Sequence, residues 1–161
     1  MKITSVDIWT VVVPTIPGRV HSPEWVPETG WDQVPKHIVR LNTDSEFSGI
    51  GETRRGADIE AVRAGAALLL GKDPEELTLQ DIFALRSDGG EEMLEVGAGP
   101  EYKTYEAAVC DLVGKARGLP VHALLGGAVR ERVRADYWMG QQTPEDSKRT
   151  VERALEQGFK G

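Results

Sequence analysis

Over the first fourteen residues Ile, Val, Thr and Trp dominate, and both alternating sets are apolar, Val6, Ile8 and Val12 on one and Trp9, Val11 and Val13 on the other. Such a run predicts a strand over residues 2–13 covered on both sides, and Pro14 stops it. Residues 36–43 and 47–54 alternate more plainly, with Asn42-Thr43-Asp44-Ser45 between them as turn chemistry. They predict a hairpin that the first strand joins in a three-stranded antiparallel sheet. From Pro14 to Pro35 the chain holds five prolines and two glycines together with Trp25 and Trp31. A loop of about twenty residues is long for a compact domain, which points to a functional segment whose tryptophans pack or close over a ligand.

Helical periodicity takes over after Asp58, which can cap a helix with Ile59, Val62, Ala66, Leu69 and Leu70 on its inner face and Gly71 at its end. Asp73-Pro74 opens a short helical piece, Thr78 with Asp81 caps another, and Gly89-Gly90 and Gly97-Ala98-Gly99-Pro100 bound a segment with some helical character. The strongest run is 104–117. There Tyr105, Ala108, Val109, Leu112 and Ala116 recur in steps of three and four, and Asp111 precedes Lys115 by one turn on the same face. Gly118 followed by Pro120 ends that helix, and a short one then stops at Gly126-Gly127. Strands first and helices afterwards predict an α+β domain, a three-stranded antiparallel sheet followed by a helical bundle, over residues 1–127.

Beyond Arg130 the pattern changes. Residues 133–139 read as a strand, Thr143-Pro144-Glu145-Asp146 as a capped helix start, Val151, Ala154 and Leu155 as that helix's apolar face, and Phe159-Lys160-Gly161 as a new beginning after Gly158. Strand, helix, strand is one unit of a parallel α/β architecture, so residues 128–161 form a second region, cut inside a repeating fold.

The chain has 161 residues, 40% hydrophobic and 28% charged, with a net charge of −7. Nothing forms a basic stripe, which argues against a nucleic-acid partner. A single cysteine excludes an intramolecular disulfide and suits a reducing compartment; Cys110, flanked by Ala107, Ala108 and Val109, reads as a buried inert thiol. No apolar run approaches the ~18 residues needed to span a bilayer, so no membrane partner is expected and the cytoplasm is the expected location.

Gly49-Ile50-Gly51-Glu52-Thr53-Arg54 offers a Gly-x-Gly, but Arg54 stands where a dinucleotide fingerprint needs its third glycine. His21, His37 and His122 have no metal-ligand spacing, and structural roles suit His37 and His122 better than chemical ones. Arg54-Arg55, at the end of the hairpin, are either two charges on a solvated turn or a fork for a carboxylate.

The run Ala-Val-Cys-Asp-Leu-Val-Gly-Lys-Ala-Arg-Gly-Leu-Pro-Val-His-Ala-Leu-Leu-Gly-Gly, residues 108–127, resembles the segment joining the two domains in the mandelate racemase and muconate-lactonizing branch of the enolase superfamily. Met1-Lys2-Ile3 opening a strand, Gly49-Ile50-Gly51-Glu52 ending a hairpin and Gly158-Phe159-Lys160 approaching another strand extend the resemblance over nearly the whole chain. It implies an enolase N-terminal-like capping domain followed by the first β-α unit of a modified (β/α)7β barrel. It further implies Mg²⁺ held by three barrel carboxylates, proton abstraction α to a carboxylate, and a metal-stabilised enediolate in a racemase, cycloisomerase or acid-sugar dehydratase. Metal ligands and bases are expected beyond Gly161, so this chain by itself is expected to bind no Mg²⁺ and to be inactive. Lys160 is not the family's catalytic lysine, which lies a few residues further on.

In the resembling enzymes the loop after the first strand and the loop ending the hairpin select substrate. His21, Trp25, Trp31, Arg54 and Arg55 are therefore specificity candidates, joined by Tyr137 and Met139 near the C-terminal end of the expected first barrel strand. The implied partners are a small carboxylate such as an acid sugar or hydroxy acid and further copies in a homo-oligomer. The alternative is a non-enzymatic α+β module that associates with another chain. Limited proteolysis tests the domain boundary: cleavage between Gly127 and Gly140 is expected to be far faster than within 104–117, and resistance there would remove the boundary at Gly126-Gly127.

Overall fold

The computed structural model describes residues 1–25, 32–77 and 102–161, the side chain of Tyr102 excepted. They fall into two units, Met1–Val11 with Pro35–Ala128, and Val12–Val34 with Val129–Gly161. Trp31, the expected cap at Thr78 and Asp81, and the segment bounded by Gly89-Gly90 and Gly97-Ala98-Gly99-Pro100 lie outside the described residues. Among the described residues no helix is long and apolar enough to cross a membrane.

Three strands, β1 (Ile3–Pro14), β2 (Gln33–Thr43) and β3 (Ser48–Glu52), form a sheet in the order β1-β2-β3. β2 and β3 are antiparallel, with Arg40 opposite Ile50 and Leu41 opposite Gly49. Their turn is held by the Thr43 hydroxyl, which donates to the Phe47 carbonyl at 2.8 Å and accepts from the Ser45 amide at 3.2 Å. Asp44 accepts from the Lys2 amide at 2.8 Å and so ties the turn to the start of β1. The sequence predicts cover on both sides of β1, but one side is open. Val6 and Ile8 pack on the core, whereas Trp9 is 43% exposed with the Arg40 guanidinium 5.1 Å from its ring centroid. Cation–π stacking gives that tryptophan a partner without burial. Beside it Arg40 and Asn42 both donate to the Asp7 carboxylate, at 2.7 and 2.9 Å, and those bonds, that from Asn42 above all, hold the Asp7 carboxyl below the usual carboxylate range.

Helix α1 (Ile59–Leu69) starts where Asp58 accepts from the Glu60 amide at 3.1 Å. It buries Val62, Gly65, Ala66 and Leu69, while Leu70, expected on the inner face, lies past the helix and is 49% exposed. Asp73 accepts from the Glu75 amide at 3.0 Å and so caps a single turn, with Leu77 bonding back to its carbonyl at 3.2 Å. Helix α2 (Tyr102–Arg117) lays Tyr105, Ala108, Val109, Leu112 and Val113 onto Val39, Leu41 and Ile3 of the sheet and Val62, Ala66 and Leu69 of α1. The Tyr105 hydroxyl donates to the Val62 carbonyl. Cys110 is buried on the same helix, and desolvation pushes its thiol up from the ordinary cysteine value, as expected of an inert thiol.

The two glycines of the rejected nucleotide motif have a packing role. A Cβ on Gly49 would meet the Ala108 carbonyl oxygen at 2.0 Å, and one on Gly51 the Thr104 carbonyl oxygen at 2.1 Å. α2 therefore lies on the bare backbone of β3. Its polar side chains serve that strand: Asp111 accepts from the Ile50 amide at 2.8 Å, Lys115 donates to the Ser48 carbonyl at 3.1 Å, and Thr104 to the Glu52 carbonyl at 3.1 Å. The expected Asp111–Lys115 pair is present at 2.6 Å. A short helix, α3 (Val121–Leu124), follows, and Gly126 and Gly127 adopt φ of +98° and +103°.

In the second unit α4 (Pro144–Glu156) has the expected cap, Thr143 accepting from the Asp146 amide at 3.2 Å with proline in the first turn. It ends in a Schellman arrangement, with the Gly158 amide on Leu155 and the Phe159 amide on Ala154. Its apolar face differs from the expected one: Thr150 and Ala154 are buried, whereas Val151 is 46% and Leu155 63% exposed. Residues 133–139 form no regular strand, because a strand needs a ladder and the Tyr137 amide supplies one rung, donating to the Gly161 carbonyl at 2.7 Å. The described residues therefore show the helix of the expected barrel unit but not its strand.

Replacing Gly51 by Ala is expected to cost about 3 kcal/mol, since the clash is with helix backbone and no side chain can swing away. Urea unfolding measures this; a loss below about 0.5 kcal/mol, the ordinary surface value, would show that α2 shifts freely from β3.

Candidate functional site

The side chains that the sequence singles out lie in both units. Arg54 and Arg55 belong to the first. Both are exposed, and the Arg54 guanidinium turns back on its own loop, donating to the Arg55 carbonyl at 3.3 Å beside Gly56, whose φ is +68°. His37, also in the first unit, is buried and structural. Its Nε2 donates to the Ala57 carbonyl at 3.2 Å, which fixes the tautomer, and its Nδ1 accepts from the Thr10 hydroxyl at 3.0 Å. His122 is exposed on α3.

The second unit gathers His21, Trp25, Tyr137 and Met139 with residues that the sequence did not mark. After β1 the chain turns at Gly18, φ +69°, and runs past the segment that precedes α4. The Gly140 amide donates to the Val20 carbonyl at 2.9 Å, and the Ser22 amide to the Gln141 carbonyl at 3.0 Å. Between these rungs the Gln141 amide donates to His21 Nδ1 at 3.1 Å, so Nδ1 is the unprotonated nitrogen of the neutral ring. His21 is 6% exposed and meets Trp138 edge-to-face at 6.3 Å. The ring fills the space over Gly140, where a Cβ would stand 2.3 Å from His21 Cε1.

Ser22, fully buried, accepts from the Thr143 amide at 2.8 Å and donates to Asp146 Oδ2 at 2.5 Å. Asp146 also pairs with Arg149. The Ser22 hydroxyl, followed by the Arg149 charge, holds the Asp146 carboxyl below the usual carboxylate range. Trp25 closes a 3₁₀ turn, Pro23–Trp25, its amide on the Ser22 carbonyl at 2.9 Å, and keeps 36% of its surface exposed. Tyr137 packs edge-to-face on Phe159 at 5.2 Å, and Met139 is 42% exposed. The capped helix start at 143–146 marks Asp146 as a first-turn acid; Ser22, 124 positions away from it in sequence, carries no signal.

Among the described residues no group of three His, Cys, Asp or Glu side chains converges to hold a metal ion.

No family model matches the chain. It is 35% identical over 129 residues to a D-galactonate dehydratase of Variovorax paradoxus, a match covering 76% of this chain and 32% of that one. It is 34% identical over 145 residues to a probable glucarate dehydratase of Streptomyces coelicolor, covering 79% and 34%. A magnesium-complexed crystal structure from Roseovarius nubinhibens, named for the mandelate racemases and muconate-lactonizing enzymes, superposes with a TM-score of 0.73 at 26% identity, over 100% of this chain and 42% of that one. A dipeptide epimerase of Methylococcus capsulatus, 22% identical, shares the fold with a TM-score of 0.71 over 99% of this chain and 44% of its own. The chain thus spans about a third of the length of the curated relatives it matches.

The Ser22 hydrogen bond makes a pH prediction. Asp146 has a folded-state pKa below its unfolded one, so its contribution to stability is fully present above the unfolded value and is lost as pH falls through the folded one. In Ser22→Ala the Asp146 pKa is expected to rise toward the ordinary carboxylate value, read by carboxyl-carbon NMR titration. An unchanged pKa would shift the cause to Arg149.

Proposed function

Because the chain belongs to the mandelate racemase and muconate-lactonizing branch of the enolase superfamily, we propose that residues 1–127 are the capping portion of an acid-sugar dehydratase and 128–161 the beginning of its barrel. The observation that carries this reading is the 35% and 34% identity to galactonate and glucarate dehydratases, which extends over three-quarters of the chain. The second unit supports the barrel assignment through the bond from the Tyr137 amide to Gly161, the kind of rung from which a parallel ladder grows. It also leaves Val133 78%, Val151 46% and Leu155 63% exposed, surface that neighbouring barrel elements would cover.

The substrate class is a small sugar carboxylate, and the reaction a dehydration begun by removing the proton α to that carboxylate. In this reading the enzyme uses magnesium, as a structure of similar fold is complexed with it, and the metal ligands and bases belong to barrel strands that follow the first β-α unit. This chain contributes substrate selection through Arg54, Arg55, Trp25 and Met139, with Trp31 a further candidate outside the described residues. A homo-oligomer in the cytoplasm is part of the same reading.

Mg²⁺-dependent exchange of the substrate's α-proton into deuterated solvent is the direct test. The 161-residue chain is expected to be silent and a chain extended through a full barrel active; silence in both would leave the non-enzymatic module. In the active protein Arg54→Ala or Arg55→Ala is expected to raise KM for the acid severalfold with little change in Tm. Unchanged kinetics in both variants would return the pair to a solvated turn.

A further inference from the structure

His21 entered as a candidate to touch substrate, yet its ring is 6% exposed and its Nδ1 is occupied by the Gln141 amide. Its neighbour Ser22 is likewise consumed, by the Thr143 amide and Asp146. We infer that His21 and Ser22 are positioning residues, a two-point anchor that fixes the root of the segment after β1 on residues 140–146 and so sets where Trp25 stands.

Three features make this an anchor rather than incidental packing. The bonds alternate along both segments, Val20 with Gly140, His21 and Ser22 with Gln141, and Ser22 with Thr143, so each residue from 20 to 22 is used. Gly140 is the one residue that leaves room for the His21 ring, since a Cβ there would overlap three ring atoms at 2.3, 2.5 and 2.9 Å. Finally, the Ser22 hydroxyl links the segment to the first turn of α4, where Asp146 is charged and held by Arg149, so the anchor bonds to a preorganised acceptor. Trp25 follows directly, its amide bonded to the Ser22 carbonyl.

The role in substrate selection rests on the dehydratase reading, but the anchor itself can be tested without turnover. Amide hydrogen exchange by NMR on the 161-residue chain at one pH is the measurement, with the Leu41 amide of β2 as the control for folding. His21→Asn places a carbonyl oxygen close to the position of Nδ1, whereas His21→Phe keeps a ring without an acceptor. Exchange at Gln141 is expected to stay slow in His21→Asn and to accelerate by at least about fivefold in His21→Phe, the worth of one hydrogen bond. Ser22→Ala is expected to accelerate Thr143 similarly. Gly140→Ala is expected to accelerate Gln141 in the wild-type background and to have no further effect when combined with His21→Ala, which vacates the ring's space. Equal rates in His21→Asn and His21→Phe, or a Gly140→Ala effect that persists without the ring, would overturn the anchor. In the longer active protein His21→Phe is expected to raise KM while sparing kcat, and His21→Asn to restore KM. Equal KM in the two variants would overturn the role in substrate selection even with the exchange results in place, whereas absence of activity in every form would count against the dehydratase reading alone.

Discussion

Two missing side chains set the architecture of the first unit. α2 can reach β3 only because Gly49 and Gly51 offer no Cβ to the carbonyls of Ala108 and Thr104. That closeness brings Thr104, Asp111 and Lys115 within hydrogen-bonding distance of the strand's outer edge, where they take Glu52, Ile50 and Ser48 in turn, every second residue. An edge strand presents unpaired amides and carbonyls that invite another strand. Here a helix fills that role with side chains spaced by its own periodicity, and the salt bridge between Asp111 and Lys115 orients both for the purpose. The short length of β3, Ser48–Glu52, is matched by what one helix face can reach.

The core follows from that contact. With α2 pinned to β3, its apolar face falls on Val39 and Leu41 of the neighbouring strand, and Tyr105 extends far enough to bond the Val62 carbonyl of α1 across Gly65. A third glycine thus accepts an aromatic ring where a methyl group would stand 2.6 Å from it. Large and small residues are apportioned so that the sheet, α1 and α2 interlock; uniform large residues at these positions would hold the layers apart.

How much of this was legible in the sequence depended on whether the cause was local. The span of α2, its Asp111–Lys115 pair, the Asp58 and Thr143 caps and the hairpin turn all depend on residues within a few positions of one another, and periodicity or capping chemistry announced them. The reason for Gly49 and Gly51 lies some sixty residues away on α2, so the sequence offered only a motif to reject. The same holds for Ser22, whose partners are Thr143 and Asp146, and for Gly140, whose reason is His21. The composition of residues 133–139 prefers a strand without supplying the neighbours that make one. Periodicity likewise puts Val151 and Leu155 on an apolar face, but burial depends on what stands opposite, and both are exposed.

Each unit holds a buried histidine whose ring ties separate segments together. In the first, His37 spends both ring nitrogens on Thr10 and Ala57 and joins a strand to the approach of α1. In the second, His21 spends Nδ1 on Gln141 and its ring face on Gly140. His37 shows what a buried imidazole can do, since it offers a donor and an acceptor at opposite ends of a rigid plane and joins the Thr10 hydroxyl to the Ala57 carbonyl. Substitution at either position removes a hydrogen bond and a shape together.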